Sequence, residues 1–365
     1  MLTSTAIKSK ALDLGFDLCG VAPAVDLPEL QFLPDWLARG YGGRMTYLNR
    51  TARRRADVRA WLPSARSVVV VACVYNTAEP YSVERDDAGE ALVARYAWGD
   101  DYHRTMGARL DALIEWMRAA NGPPFDAKTC VDDGPVQERV YARHAGLGWI
   151  GKNTCVINAE LGSWILLGVI ATNLDLEPDQ PALDQCGTCR LCLDACPTGA
   201  FAEPHVLDAT KCLSYLTIEI RGAIPPGQRR SLGSHVFGCD ICQDVCPFNQ
   251  QAAVSGKPEW QPRAALRHRR LTDLWTASDE DLARTIAGTA LERIGVAGLR
   301  RNVAVALGNA GSDEARQALE TPLESLATPS AADSNVAEHV AWARGRTPIS
   351  RPNTGDRSQK QDESA

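Results

Sequence analysis

Cys186-Gly-Thr-Cys189-Arg-Leu-Cys192-Leu-Asp-Ala-Cys196-Pro197, a solitary Cys212, then Cys239-Asp-Ile-Cys242-Gln-Asp-Val-Cys246-Pro247: this stretch decides how the chain is read. The first block is a complete C-x2-C-x2-C-x3-C-P run. The second is the same run with its first cysteine displaced upstream to Cys212. A [4Fe–4S] cube takes four thiolates; three come from one tight loop, and the fourth, before the proline, ligates the other cluster. The spacing therefore assigns Cys186, Cys189, Cys192 and Cys246 to one cube, and Cys196, Cys212, Cys239 and Cys242 to a second. Structural zinc needs only two C-x2-C knuckles, which leaves the extra cysteine and proline of each run unexplained. Disulfides need an oxidising compartment, and residues Met1 to Lys10 lack the charged-then-apolar profile of an export signal and any twin-arginine pair. A cluster-free relic is a poor account of a chain in which all eight thiols are present. Two cubes in series make an electron wire, and the question is what the wire feeds.

The 365 residues are 45% hydrophobic and 23% charged, with a formal net charge of −6. That is a globular composition with room for two or three cores. No apolar run approaches membrane-spanning length, so the expectation is a cytoplasmic monomer with no membrane partner. Of twelve cysteines, Cys19, Cys73, Cys130 and Cys155 lie outside the cluster pattern; three of them sit in apolar or β-type contexts and read as packing residues. Net acidity argues against a general affinity for nucleic acid, but local basic patches can still serve one. Two such patches exist: Arg50, Arg53, Arg54, Arg55 and Arg59, and further on Arg263, Arg267, His268, Arg269 and Arg270. The first reads as a solvated helix face in preference to an anion-binding surface, since most charge runs are merely surface.

Residues 1–175 read as an α/β domain with a mixed sheet. Helices are expected over 5–15, 30–37 and 101–119, the last from the spacing of Met106, Leu110, Leu113 and Met117. The continuous β-branched run from Ser67 to Tyr75 reads as a strand buried on both faces. Lys128 to Val131 reads as a strand emptying into Asp132-Asp133-Gly134-Pro135, a strand end, a turn and a helix start with the proline at the first helical position. A glycine-rich turn over Gly148 to Asn153 and a buried strand from Ser163 to Thr172 follow. Residues 176–255 form a ferredoxin-like two-cluster domain. Residues 256–345 read as a HEAT-like helical region that has to pack on the cluster domain, because one or two helix pairs cannot stand alone. Its faces are Leu299, Val303, Ala306 and Leu307, then Ala315, Leu319, Leu323 and Leu326, then Val336, Val340 and Ala343. The polar tail, 346–365, reads as disordered.

Asp132 and Asp133 are the strongest acid candidates: a carboxyl at a strand end, partly withdrawn from water, can hold a raised pKa and act as a general acid. As plain helix caps they would need no chemistry. Tyr102 and His103 open a helix after Trp98-Gly-Asp-Asp and can line a pocket. Gly148-x-x-Gly-Lys is too short for a phosphate-binding loop, and no G-x-G-x-x-G follows a strand. The electrons must therefore pass to another cofactor or directly to a substrate.

Several segments together resemble the epoxyqueuosine reductase family. They are Met45-Thr-Tyr-Leu with Arg55, Trp98-Gly-Asp-Asp-Tyr-His103, Val131-Asp-Asp-Gly-Pro-Val136, Ala145-Gly-Leu-Gly-Trp-Ile-Gly-Lys-Asn153, Leu161-Gly-Ser-Trp164, the displaced-cysteine block, and Gly298-Leu-Arg-Arg-Asn-Val-Ala-Val-Ala-Leu-Gly-Asn309. The resemblance runs in order over residues 1–345. It implies a corrinoid, cob(II)alamin, in the N-terminal domain, both clusters in the middle domain, and C-terminal helices that help to grip tRNA. The implied reaction removes the epoxide oxygen of epoxyqueuosine as water, at the wobble position of a tRNA anticodon. The implied proton donor falls on Asp132. The implied corrinoid contacts fall on Arg55, Lys152, Asn153 and Ser163, on Ser214, Arg221 and Gly222, and near Asp240 and Gln243. Asp133 is a departure, standing where Thr or Ser is expected, and places a second carboxyl beside the donor.

The physics agrees with that implication. Cysteine-ligated cubes reach low potentials, which suits a cofactor that does the difficult chemistry while the protein positions it, delivers electrons and supplies a proton. A low-potential electron donor such as flavodoxin or ferredoxin is expected as a partner. A base within tRNA has to leave its stack to reach a buried metal, and Arg53, Arg54, Arg267, Arg269 and Arg270 are the expected phosphate contacts. A reductive dehalogenase pairs a corrinoid with two cubes in a similar way, but typically carries an export signal and no helical C-terminus. A non-catalytic electron carrier has little need of a 175-residue domain ahead of its clusters.

Overall fold

The computed structural model describes residues 2–321, 330 and 333–346. Leu323, Leu326 and the tail beyond Arg346, for which a helix face and disorder were expected, lie outside the described residues. The N-terminal part is built on helices α1 (Ser4–Asp13), α2 (Thr46–Ala56), α3 (Tyr102–Asn121) and α4 (Glu138–His144), with strands β1 (Leu18–Pro23), β2 (Ser67–Val74), β3 (Ala127–Cys130) and β4 (Ile165–Thr172). The strands form one sheet in the order β1-β2-β4-β3. Every neighbouring pair is antiparallel, which overturns the expected mixed sheet.

The reason lies in how β2 is covered. All eight of its residues are buried, and side chains on a strand alternate between faces. Val69, Val71 and Cys73 pack with Ile7 and Ala11 of α1 and Met106, Leu110 and Leu113 of α3. Val68, Val70 and Ala72 pack with Val140, Tyr141 and Ala142 of α4. Helices on both faces produce the unbroken apolar run without any parallel pairing. Each such aliphatic side chain contributes about 1.5–3 kcal/mol by leaving water. The layers approach closely at Gly20 of β1, where a Cβ would sit 2.0 Å from the Ala145 carbonyl oxygen.

β3 ends at Cys130, and α4 starts only at Glu138, not at Pro135 as the proline had suggested. Gly134 folds back against the strand end: a Cβ there would lie 2.5 Å from Cys130 Sγ. Residues 131–137 therefore make a tight loop before a helix can begin. The expected Gly148–Asn153 turn contains a short strand, Trp149–Ile150, paired with Val156–Ile157.

In the cysteine-rich part, the one-turn helices Leu191–Asp194 and Ile241–Asp244 pack on each other. His235–Phe237 pairs in parallel with Leu92–Val93, stitching this part to the N-terminal one. Tyr215–Glu219 is a turn of π-helix, a conformation that often marks a functional site.

Helices α5 (Leu271–Thr276), α6 (Asp279–Ile286), α7 (Gly295–Ala310), α8 (Asp313–Glu320) and α9 (Ser334–Arg344) follow. Leu299, Val303, Ala306 and Leu307 of α7, Ala315 and Leu319 of α8, and Val336, Val340 and Ala343 of α9 share one core with Ile218, Val236 and Phe237 of the cysteine-rich part. Arg301 donates to the carbonyl oxygens of Ile220 and Gly222, and Asn302 to those of Thr217 and Val236. Arg300, Arg301 and Asn302 are all buried.

Candidate active site

Among the eight thiols, electrostatic neighbours run across the two sequence blocks. Burial pushes the Cys192 thiol up to about 11, reinforced by Cys246, Cys186 and Cys189. Burial likewise raises Cys239, reinforced by Cys212 and Cys196. Cys242 is raised first by a hydrogen bond with Cys155, then by burial and by Cys239 and Cys212. Among the described residues no three His, Cys, Asp or Glu side chains converge as ligands of one ion. A cube makes no such demand, because its four thiolates reach four separate iron corners. The first cysteine loop is held from outside by Lys152, whose Nζ donates to the carbonyl oxygens of Gly187 (2.6 Å) and Cys189 (2.8 Å). Asn153 Nδ2 does the same for Cys242, at 3.2 Å.

Asp132 stands just beyond β3. Its φ is +60°, a left-handed conformation that Asp tolerates better than most side chains. Neither Asp132 nor Asp133 caps α4, whose N-cap is Gln137. Asp132 was expected to be partly withdrawn from water; it is exposed. Tyr102, the first residue of α3, donates its hydroxyl to Asp132 Oδ2 at 2.9 Å. The Tyr102 ring stacks on His103 with centroids 4.1 Å apart, and His103 Nδ1 lies 2.7 Å from Asp101 Oδ1. Burial and the charge of Asp132 raise Tyr102 and Tyr96. Burial also raises Tyr47, where Glu219 and Asp132 add to the shift. Tyr96 lies within electrostatic reach of both Asp132 and Asp240, and Asp240 sits between Cys239 and Cys242. The carboxyl that is withdrawn from water is Glu138: burial, then the nearby Asp132, pushes it up to about 8.

Residues 185–249 match the 4Fe-4S double cluster binding domain family, and residues 55–133 match the family described as epoxyqueuosine reductase QueG, DUF1730. The epoxyqueuosine reductase of Gloeobacter violaceus is 43% identical over 321 residues, covering 86% of this chain and 98% of that one. The chain belongs to the epoxyqueuosine reductase family. Among solved structures, epoxyqueuosine reductase with a tRNA-Tyr epoxyqueuosine-modified stem loop superposes with a TM-score of 0.83 at 28% identity, covering 93% of this chain and 89% of that one. A Bacillus subtilis family member with its catalytic aspartate loop swung out of the active site superposes with a TM-score of 0.81 at 28% identity, covering 93% and 88%.

Against the family's expected corrinoid contacts, the structure forms three groups. Ser163 Oγ donates to Gln243 Oε1 at 3.0 Å and accepts from Asn249 Nδ2 at 2.8 Å, while buried Asp240 accepts the Arg95 main-chain N–H. Arg55 holds the carbonyl of Val136 at the foot of the acid loop (3.0 Å). Ser214, Arg221 and Gly222 flank the π-helical turn, and Gly222 faces Arg44. Lys152 and Asn153 stand apart, engaged with the cysteine loops. Sequence reasoning missed Tyr47, Tyr96, Glu138, Glu219 and Arg293. The last two form a two-pronged ion pair, at 2.7 and 3.0 Å, across 74 positions of sequence, which leaves no local signal. Glu138 had one, as an acid a single turn after an acid-rich strand end.

Proposed function

We propose that this chain reduces epoxyqueuosine to queuosine at the wobble position of tRNA anticodons, with electrons passing through two [4Fe–4S] clusters to cobalamin and Asp132 supplying a proton. One observation carries the reading: the Tyr96 ring packs edge-on against Tyr102 (centroids 5.8 Å apart), whose hydroxyl donates to Asp132, and also against Phe237 (6.0 Å), two residues ahead of Cys239. One aromatic contact chain thus links the proton source to a cysteine loop. Overall, two electrons and two protons convert the epoxide to an alkene and water.

The residues present fit a corrinoid. Ser163 and Gln243 offer neutral hydrogen-bonding groups for an amide-fringed macrocycle, and half-buried Arg55 offers a cation. When bound, a corrinoid supplies a centre that collects single electrons from the clusters and passes a pair to the substrate. Lys152 and Asn153 are better assigned to fixing the cluster loops, with Cys186, Cys189, Cys192 and Cys246 on one cube and Cys196, Cys212, Cys239 and Cys242 on the other. Tyr102 donates to Asp132 Oδ2, which leaves Oδ1 free to serve the substrate, and Asp132 is exposed where an extruded base arrives. By the likeness to the Bacillus subtilis structure, the loop bearing Asp132 is movable and acts from its inward position.

For tRNA, Arg53 and Arg54 on α2 are exposed and have no ion-pair partner among the described residues. Arg267 is paired with Glu79, and Arg270 with Asp87 and Glu314. The primary phosphate surface is therefore α2. The HEAT-like reading of α7 to α9 supports a bracing role, since Arg300 and Arg301 are buried. A flavodoxin or ferredoxin donor is assigned to the first cluster loop, beside exposed Leu183 and Leu191. No helix of the described residues is long and apolar enough to cross a membrane; we assign a cytoplasmic monomer.

The test is anaerobic reconstitution with iron, sulfide and cobalamin, followed by turnover on tRNA carrying epoxyqueuosine and mass spectrometry of the digested nucleosides. Loss of one oxygen is expected, with Asp132→Asn slower by about a thousandfold although clusters and corrinoid remain bound. Bound corrinoid with an unchanged nucleoside would overturn the substrate. Intact clusters without corrinoid binding would point to an electron carrier.

A further inference from the structure

The reading of Asp132 as proton donor leaves open what holds it in place, and this inference rests on that reading. The loop 131–137 is tethered at its far end, where Arg55 donates to the Val136 carbonyl (3.0 Å) and Gln137 Nε2 donates to the carbonyls of Leu30 and Arg55; its near end, which carries the acid, is held differently. Asp133 N–H donates to the Val131 carbonyl at 2.7 Å, and Val131 N–H donates to Asp133 Oδ1 at 3.1 Å. These bonds close the turn on itself without tying it to the fold. The Asp132 main-chain N–H is different: it donates to Glu138 Oε1 at 2.7 Å. Glu138 is the first residue of α4, whose next turn buries Val140, Tyr141 and Ala142 in the core. The same oxygen lies 3.7 Å from Cys130 Sγ, at the end of β3. A single carboxyl thus ties the acid's backbone to both the helix after the loop and the strand before it.

We propose that Glu138 is the positioning residue of the proton donor: by accepting the Asp132 N–H it holds that residue in its left-handed conformation and so presents the carboxyl to Tyr102. The conformation supplies the need. With φ at +60°, Asp132 occupies a region that an L side chain adopts only when its surroundings over-determine it. The charged and titratable groups around Glu138 are Asp132, Cys130 and Arg139, with Asp133 and Arg55 facing Cys130. Burial pushes Glu138 up to about 8. At neutral pH it is therefore mostly protonated, accepts through Oε1, and adds little further negative charge to that of Asp132 and Asp133.

The experiment uses the reconstituted holoenzyme and measures kcat and KM for modified tRNA in Glu138→Ala, Glu138→Gln, Asp132→Asn and the double variant Asp132→Asn/Glu138→Ala. Glu138→Ala is expected to lower kcat by about a hundredfold, as a misplaced group does, with KM and cluster absorbance unchanged. Glu138→Gln keeps a carbonyl acceptor and is expected to restore most of that loss. The double variant should be no slower than Asp132→Asn alone, because residues acting as a unit are not additive. Full activity in Glu138→Ala beside an inactive Asp132→Asn would overturn the latch and leave the donor standing. An active Asp132→Asn would remove the donor itself, and the latch with it. Glutamine performing no better than alanine, with clusters intact, would show that the accepted hydrogen bond is not what matters.

Discussion

The cysteine block from Cys186 to Pro247 and the acid loop from Val131 to Glu138 are both short and both central to the proposed chemistry, yet they encode it in opposite ways. In the block, residue type and spacing are the chemistry: a cube accepts thiolates wherever a tight loop offers three of them. In the loop, the residue types could belong to any turn. Their role arises from a left-handed backbone, a tyrosine hydroxyl thirty positions upstream and a half-buried glutamate downstream. Ligation tolerates local encoding because the metal–sulfur bond is strong. General-acid chemistry depends on environment, and environment is assembled from afar.

The largest test of the comparison is to break the crossing of the two cysteine blocks. The double variant Cys186→Ser/Cys246→Ser should abolish turnover while keeping about half of the iron, because both residues serve one cube. Retention of almost no iron would mean that each block fills its own cube, and that the spacing rule had been misapplied. Iron analysis and electron paramagnetic resonance of the reduced protein give the answer.

Two arginine pairs sharpen the point. Arg53-Arg54 and Arg300-Arg301 look alike in sequence, but the first pair is exposed and the second is buried at 0 and 3%. Arg301→Ala leaves the carbonyls of Ile220 and Gly222 without their donor, and should cost about 3 kcal/mol of stability in thermal or denaturant melts. Replacing Arg53 and Arg54 by Glu should change stability by no more than about 0.5 kcal/mol. It should also weaken tRNA binding and flatten the salt dependence by about one unit of log–log slope for each phosphate no longer neutralised. An unchanged salt slope would move the RNA surface elsewhere. Charge runs carry no sign of burial, so sequence alone could not separate these pairs. For a similar reason the strands and helices of the first part were legible from periodicity while the antiparallel order of the sheet was not. Periodicity reports which faces are covered; it does not report which neighbour runs in which direction.

Glu138 gives the comparison a pH axis. Its carboxyl is raised from an ordinary value of 4.5 to about 8 by burial and by Asp132. Below pH 4.5 folded and unfolded chains both hold the proton, and there is no penalty. Between 4.5 and 8 the unfolded chain releases a proton that the folded chain keeps, so stability falls as pH rises and the full penalty is present above 8. Glu138→Gln removes that penalty. It should raise stability by about 4 kcal/mol at pH 8 and leave it unchanged at pH 4. A gain of equal size at both pH values would assign the effect to packing.

The smallest expected effect belongs to Asp133. Its carboxylate stands beside the donor as a like charge, and in the fold it also accepts the Val131 N–H at 3.1 Å, closing the turn that the acid stands on. A threonine or serine hydroxyl can accept the same bond, as these side chains do in comparable turns. Asp133→Thr should therefore keep the turn and remove one negative charge from an exposed site, where a single charge acts through high dielectric and counter-ions. Turnover at neutral pH should change by no more than about threefold, within the 0.2–1 kcal/mol typical of exposed charge effects. The pH profile should shift only at low salt. A large gain in kcat that persists at high salt would show instead that the second carboxylate hampers proton delivery directly, and that the departure from threonine or serine is a handicap compensated elsewhere in the chain.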